Sequence, residues 1–160
     1  IHGIEVEFDK SVSDFLSINS ALSFIDSKIE DLRVYDFDQY GYININSKEH
    51  PRAASYQYHI DLNYKLSKNT KAVLQIEGRD DYEYAYYFNE RSKNINLLHA
   101  SLEYKNGPVI FTAWARNILD KAYPIHALYF GNDPRDDYTN NLYTQLGEPR
   151  NIGMNIKHEF

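Results

Sequence analysis

The chain has 160 residues, 42% of them hydrophobic, and a formal net charge of -6 at pH 7, which fits one structural unit and offers no clustered cationic surface for nucleic-acid phosphates. It contains no cysteine, so disulfide scaffolds, thiolate metal sites and cysteine nucleophiles are excluded together. Fifteen Tyr and eight Phe stand against a single Trp and a single Met, a bias that suits strands with ring tips at a polar boundary. No apolar run reaches the roughly 18 residues of a membrane-spanning helix. Mean hydropathy is -0.62. A barrel escapes both tests, because each strand needs only about 9–11 residues and only alternate side chains meet lipid.

Taken in chain order, the first expected strand is 3–10, followed by 15–27, where Leu16, Ile18, Leu22 and Phe24 oppose Ser17, Asn19 and Ser23. The chain starts at Ile1 and not at Met, and it reads as a piece of something longer. Over 53–67 the even positions Tyr56, Tyr58, Ile60, Leu62, Tyr64 and Leu66 alternate without error with Gln57, His59, Asp61, Asn63, Lys65 and Ser67. A tight turn at Lys68-Asn69-Thr70 leads into 71–86, where Ala72, Leu74 and Ile76 oppose Gln75, Glu77 and Arg79. Residues 94–105 set Leu98, Ala100, Leu102 and Tyr104 against His99, Ser101, Glu103 and Lys105.

Asn106-Gly107 then predicts a two-residue hairpin turn. Pairing Lys105 with Pro108 places Leu102 opposite Phe111 and Ala100 opposite Ala113, so that Val109, Phe111, Ala113 and Ala115 share the oily face of 109–118 while Trp114 and Arg116 point away. The last strand, 149–160, alternates polar odd positions with mostly apolar even ones and ends on Phe160. Short connections near 11–14, 67–70 and 105–108 trade places with long ones at 28–52, 87–93 and 119–148, the asymmetry of outer-membrane barrels. The pattern predicts an all-β, antiparallel up-and-down transmembrane β-barrel segment of about seven strands. A carbohydrate-binding or adhesive β-sandwich and a passive porin remain open on the same residues.

The run Trp114-Ala115-Arg116-Asn117-Ile118-Leu119-Asp120-Lys121-Ala122-Tyr123, the step Gly147-Glu148-Pro149-Arg150-Asn151-Ile152-Gly153 and the terminal Phe160 resemble the carboxy-terminal end of TonB-dependent outer-membrane receptors. That family's pattern is Asn-Leu-Phe-Asp-Lys-x-Tyr, then Gly-x-Pro-Arg, then a closing aromatic strand. Ile118-Leu119 replaces the more usual Leu-Phe. The resemblance implies a barrel of about 22 strands around a plug, of which this chain supplies the carboxy-terminal part. It also implies the outer membrane of a Gram-negative bacterium, a TonB complex engaged through a TonB box in the amino-terminal part, and import of a scarce nutrient. Siderophores, vitamins such as cobalamin, haem and oligosaccharides are cargo classes of such receptors, with a ferric siderophore as the default. No enzyme activity and no cofactor are implied. The closing strand also resembles the signal read by the outer-membrane assembly machinery, with Asn151, Gly153, Ile156 and Phe160 in the matching positions and His158 where an apolar residue is commoner.

The six histidines, His2, His50, His59, His99, His126 and His158, show no metal-ligand spacing. His59 and His99 fall on the polar face two strands apart, roughly 10 Å by strand spacing, and read as polar wall residues. There is no Gly-x-Ser-x-Gly elbow, phosphate loop or thiol, and no catalytic residue is assigned. Residues 131–141 are rich in oxygen ligands but lack the spaced acids and final Glu of a calcium loop, so a solvated turn is the expectation there. Ligand contacts are expected on the long connections. The candidates are Arg79, Asp81 and Tyr84 in the Arg-Asp-Asp-Tyr-Glu-Tyr rim, which reads first as an aromatic girdle giving way to charged solvent-facing residues, and Tyr129, Arg135 and Tyr138 in the last long connection.

Overall fold

A computed structural model describes residues 1–36, 40–87 and 89–160. Residues 37–39 and 88, inside the expected long connections, lie outside the described residues. In chain order the strands are β1 (His2–Ser11), β2 (Leu16–Asp26), β3 (Lys28–Ile29), β4 (Leu32–Asp36), β5 (Gly41–Ile45), β6 (Lys48–Glu49), β7 (Tyr56–Lys65), β8 (Thr70–Arg79), β9 (Ile95–Asn106), β10 (Val109–Arg116), β11 (Pro124–Phe130), β12 (Asn141–Leu146) and β13 (Asn151–His158). Seven of them form one sheet in the order β1-β2-β7-β8-β9-β10-β13, each antiparallel to its neighbours. These are the seven strands read from the alternation. The others are two-stranded ribbons, β3 with β6, β4 with β5 and β11 with β12, inside connections that were read as loops.

Neighbouring strands join through tight turns at one end of the sheet and through the long connections at the other. Ser13 Oγ accepts from Leu16 N at 3.1 Å in the first turn. Leu66 N donates to Thr70 O at 2.9 Å in the second. In the third, Asn106 pairs with Val109, Lys105 with Ile110 and Leu102 with Ala113, which corrects the expected Lys105–Pro108 pairing. Pro108 has no N–H to give the ladder, so the two-residue turn is Gly107-Pro108, with Gly107 at φ +57° in the first central position. The correction moves the register by two residues and leaves every side chain on its expected face.

The strand expected over 71–86 stops at Arg79. Asp80 N still donates to Tyr56 O at 3.0 Å, but β7 starts at Tyr56. Beyond that point β8 has no partner there, and the chain turns to bury Tyr82 and Tyr84 among the loops. The last strand likewise spans Asn151–His158 and not 149–160.

Pairing carries one apolar face across the whole sheet. Val6 lies opposite Leu22, Leu22 opposite Tyr58, Ile60 opposite Ile76, Ile76 opposite Leu98, Leu102 opposite Ala113 and Ala113 opposite Met154. Glu5, Asn19, Asp61, Gln75, His99, Thr112 and Asn155 belong to the other face. The apolar face stays bare, with Ile152, Met154 and Ile156 at 74%, 66% and 62% exposure. A sandwich buries that face under a second sheet; among the described residues none packs there. The buried apolar residues are Ile45, Tyr82, Tyr84, Leu97 and Ala127, and all but Leu97 sit among the loops. Along β7, Tyr58 and Tyr64 on the bare face are roughly 20 Å apart at strand rise, so their rings border the apolar stretch that holds Ile60 and Leu62. At the turn end Phe15 meets Tyr64 edge-on, with centroids 5.4 Å apart.

Candidate functional site

The three long connections, 27–55, 80–94 and 117–150, pack into a cap at the loop end of the sheet. Its apolar centre is Tyr82, Tyr84 and Ala127, with Ala54 and Ala85 against it. The two Tyr rings meet edge-on at 5.8 Å. The Arg79 guanidinium covers the Tyr82 ring at 4.2 Å, an arrangement that draws a cation to the ring's negative face. Tyr82 Oη donates to Ile125 O at 2.8 Å, and Arg52 N donates to Glu83 O at 2.9 Å. Arg52 Nη2 also lies 2.9 Å from His126 Nδ1, so each connection touches the other two.

Arg91 is the electrostatic centre of the cap. Its Nη2 lies 2.8 Å from both Glu49 Oε2 and Asp81 Oδ1, and its Nη1 lies 3.6 Å from Glu83 Oε1. The Asp81 contact, chiefly, holds the guanidinium's pKa above its ordinary value. Lys48 Nζ adds Asn89 at 2.8 Å and Glu83 at 3.7 Å. Burial, first of all, pushes the Tyr84 hydroxyl up.

The residues singled out from the sequence divide between cap and tip. Arg79 ends β8 on the polar face, where it lines a cleft with Ser23, Gln57, His59, Glu77 and Ile95; its Nη1 is buried without a hydrogen-bond partner among the described residues. Asp81 is engaged by Arg91. Tyr84 is 4% exposed and serves packing, because a ring so enclosed presents little surface to a ligand. Tyr129 donates its hydroxyl to Glu90. Arg135 and Tyr138 lie apart, at the tip of the β11–β12 hairpin. There Arg135 closes onto Asp133 of its own turn at 2.6 Å, which lowers the Asp133 carboxyl's pKa, and Tyr138 is exposed at φ +57°. Asp136 in the same turn accepts from Asn141 Nδ2 at 2.8 Å, so these oxygen ligands serve the turn itself. Among the described residues no group of three or more His, Asp or Glu side chains is placed to hold a metal.

One feature was not singled out from the sequence, and a second gives the expected His59 and His99 wall residues a shared acidic partner. The β4–β5 ribbon pairs Arg33 with Asn44 and Tyr35 with Tyr42 on one face, and Leu32 with Ile45 and Val34 with Ile43 on the other. Ile45 is buried, whereas Tyr42 is 64% exposed, so the Arg-Tyr-Tyr-Asn face is the outward one. Arg33 sits 4.4 Å from the Tyr42 ring centre and Tyr35 meets that ring edge-on. The period-two alternation of residues 32–35 was the available signal. The second feature lies on the polar wall, where Glu77 is 3.9 Å from His59 Nδ1 and 3.4 Å from His99 Nε2. His59 Nε2 reaches Asp61 at 3.0 Å.

Removing the Tyr82 hydroxyl by Tyr82→Phe should loosen the β11–β12 hairpin by about 1 kcal/mol, the net worth of one hydrogen bond. Limited proteolysis within residues 124–146 checks this, with faster cleavage in the variant as the expected result.

No known family profile matches the chain, and no curated protein matches it. Solved structures do. The siderophore receptor PiuA from Acinetobacter baumannii superposes with a TM-score of 0.75 at 14% identity, covering 96% of this chain and 21% of that one. The sheet is folded like part of a receptor's barrel wall. The ferric yersiniabactin uptake receptor FyuA from Yersinia pestis gives a TM-score of 0.74 at 14% identity, covering 99% of this chain and 23% of that one. The chain thus spans 21% and 23% of the lengths of these two receptors.

Proposed function

We propose that the chain is the carboxy-terminal part of a TonB-dependent outer-membrane receptor that imports a scarce nutrient, with a ferric siderophore as the first cargo class to test. The observation that carries this reading is the bare apolar face running through seven strands, backed by a polar face and crowned at one end by folded loops. Once the remaining strands of the wall pair its two outer edges, β1 and β13, a sheet of that kind is stable with lipid on one side and a wet lumen on the other. A siderophore receptor and a ferric yersiniabactin uptake receptor share the fold over nearly the whole chain, and the Asn117-to-Tyr123 and Gly147-to-Arg150 motifs point the same way. In this reading the loop end is extracellular, the turn end periplasmic, and the remaining wall, the plug and the segment that engages TonB belong to the rest of the protein. The outward face of β4–β5 and the Arg79 cleft are then the surfaces open to cargo, since Tyr and Arg provide large contact area and directed donors.

The test is uptake of radiolabelled iron by cells expressing the full-length receptor, supplied with a panel of siderophores, with and without TonB. The reading predicts uptake of at least one complex that disappears without TonB. TonB-independent entry of small solutes in general would contradict it and indicate a passive channel.

A further inference from the structure

Alternation of apolar and polar side chains forbids a one-residue slip between strands but tolerates a slip of two, which returns every side chain to its own face. Tight turns remove that freedom between β1 and β2, β7 and β8, and β9 and β10. The closing strand β13 has no such turn, because residues 117–150 separate it from β10. Its observed register sets Ala113 opposite Met154, Trp114 opposite Gly153 and Ala115 opposite Ile152. Something other than the lipid–lumen pattern must choose this register over its two-residue neighbours.

Two contacts make that choice possible. On the polar face the Trp114 indole lies over Gly153 so closely that a Cβ built there would stand 2.3 Å from Cζ2. A slip of two would put Asn151 or Asn155 under the ring, in space the indole already fills. At the exit of β10, Asn117 is 2% exposed and adopts φ +45°. Its Nδ2 donates to Lys121 O and to Glu148 O, both at 3.0 Å, and its Oδ1 accepts from Lys121 N at 3.0 Å. Its own N–H donates to His99 Nδ1 at 3.2 Å, and its carbonyl accepts from Asp120 N at 2.8 Å. Asp120 Oδ1 in turn accepts from Arg150 N at 2.9 Å, directly before β13. The base of the long excursion is thereby closed from both sides.

We propose that Trp114 and Asn117 are the register-setting residues of the closing strand: the indole selects the one small residue of β13 that fits beneath it, and the Asn117 knot fixes where residues 148–150 begin the strand. The excursion carrying β11 and β12 is then free to vary without moving the wall. Gly153 thus has a steric duty inside the folded sheet, apart from any part in recognition by the assembly machinery. The inference rests on the fold and not on the cargo, so a failed uptake experiment leaves it standing.

The test is disulfide mapping in the full-length protein in its outer membrane, in a stretch that contains no cysteine. Ala113→Cys is paired with Met154→Cys for the observed register, and with Ile152→Cys or Ile156→Cys for the slipped ones; diagonal positions are too far apart for easy bridging. The in-register pair should dominate in the parent. With Gly153→Val, in-register cross-linking of the folded fraction, or that fraction itself, should fall about tenfold, as overpacking predicts. Adding Trp114→Ala should recover most of it by emptying the space above residue 153. A loss that Trp114→Ala does not restore overturns the socket and assigns Gly153 to assembly recognition or to strand conformation. Asn117→Asp keeps the shape but cannot donate to Lys121 O and Glu148 O. It should shift cross-links toward the slipped pairs or deplete the folded fraction; no change in either overturns the knot's role.

Discussion

Replacing Leu74 by Arg should cost about 2–4 kcal/mol of folded stability, the toll of a charge facing lipid near the bilayer midplane. Leu74 lies on the bare face between Leu62 and Ala100, midway between the aromatic borders. Gln75→Arg, one residue along, places the same charge among Asp61 and His99 on the polar face and should cost much less. The pair of substitutions holds strand, depth and residue type constant and varies only the face. Urea unfolding of the refolded full-length protein in lipid vesicles reads the difference. Equal costs at the two positions would mean that the bare face does not meet lipid.

Tyr84→Ala should have the second large effect, on the cap and not on the wall. Truncating a buried aromatic ring costs about 3–5 kcal/mol through lost contacts and the cavity left behind. Tyr84 touches the edge of Tyr82, which in turn holds Ile125 and lies under Arg79, so residues 80–94 and 124–130 should lose protection together. Hydrogen exchange followed by mass spectrometry should show faster exchange there while β7, β8 and β9 keep theirs. Tyr138→Ala at the exposed hairpin tip should leave exchange unchanged. If Tyr84 instead acted as a ligand contact, its loss would weaken cargo binding with exchange in the cap unaltered.

The wall was legible because its information is local. Period two along 53–67 or 94–105 states which face each side chain takes, and a turn such as Lys68-Asn69-Thr70 states which strand comes next. Register at Gly107-Pro108 was less legible, since the Asn-Gly pair competes with a proline that cannot donate to the ladder; the two readings differ by two residues and preserve every face. The cap was mostly illegible. Tyr82 and Tyr84 continue the alternation of β8, and only the start of β7 at Tyr56 shows why the strand stops short of them. Arg91 has its acidic partners at residues 49, 81 and 83, a convergence that no spacing along the chain encodes. Leu32 to Tyr35 alternates like a strand but is too short to stand out from a loop. Asn117 drew notice as part of a motif, yet its bond to Glu148 O, across 31 positions, appears only in three dimensions.

The central claim is that this sheet is wall in an outer-membrane barrel, and heat-modifiability of the full-length gene product tests it most directly. Outer-membrane fractions are compared by gel electrophoresis with and without boiling, because a closed barrel resists detergent until heated and migrates differently once unfolded. The account predicts an outer-membrane band that shifts on boiling. A soluble product, or one whose migration is the same before and after heating, would contradict it.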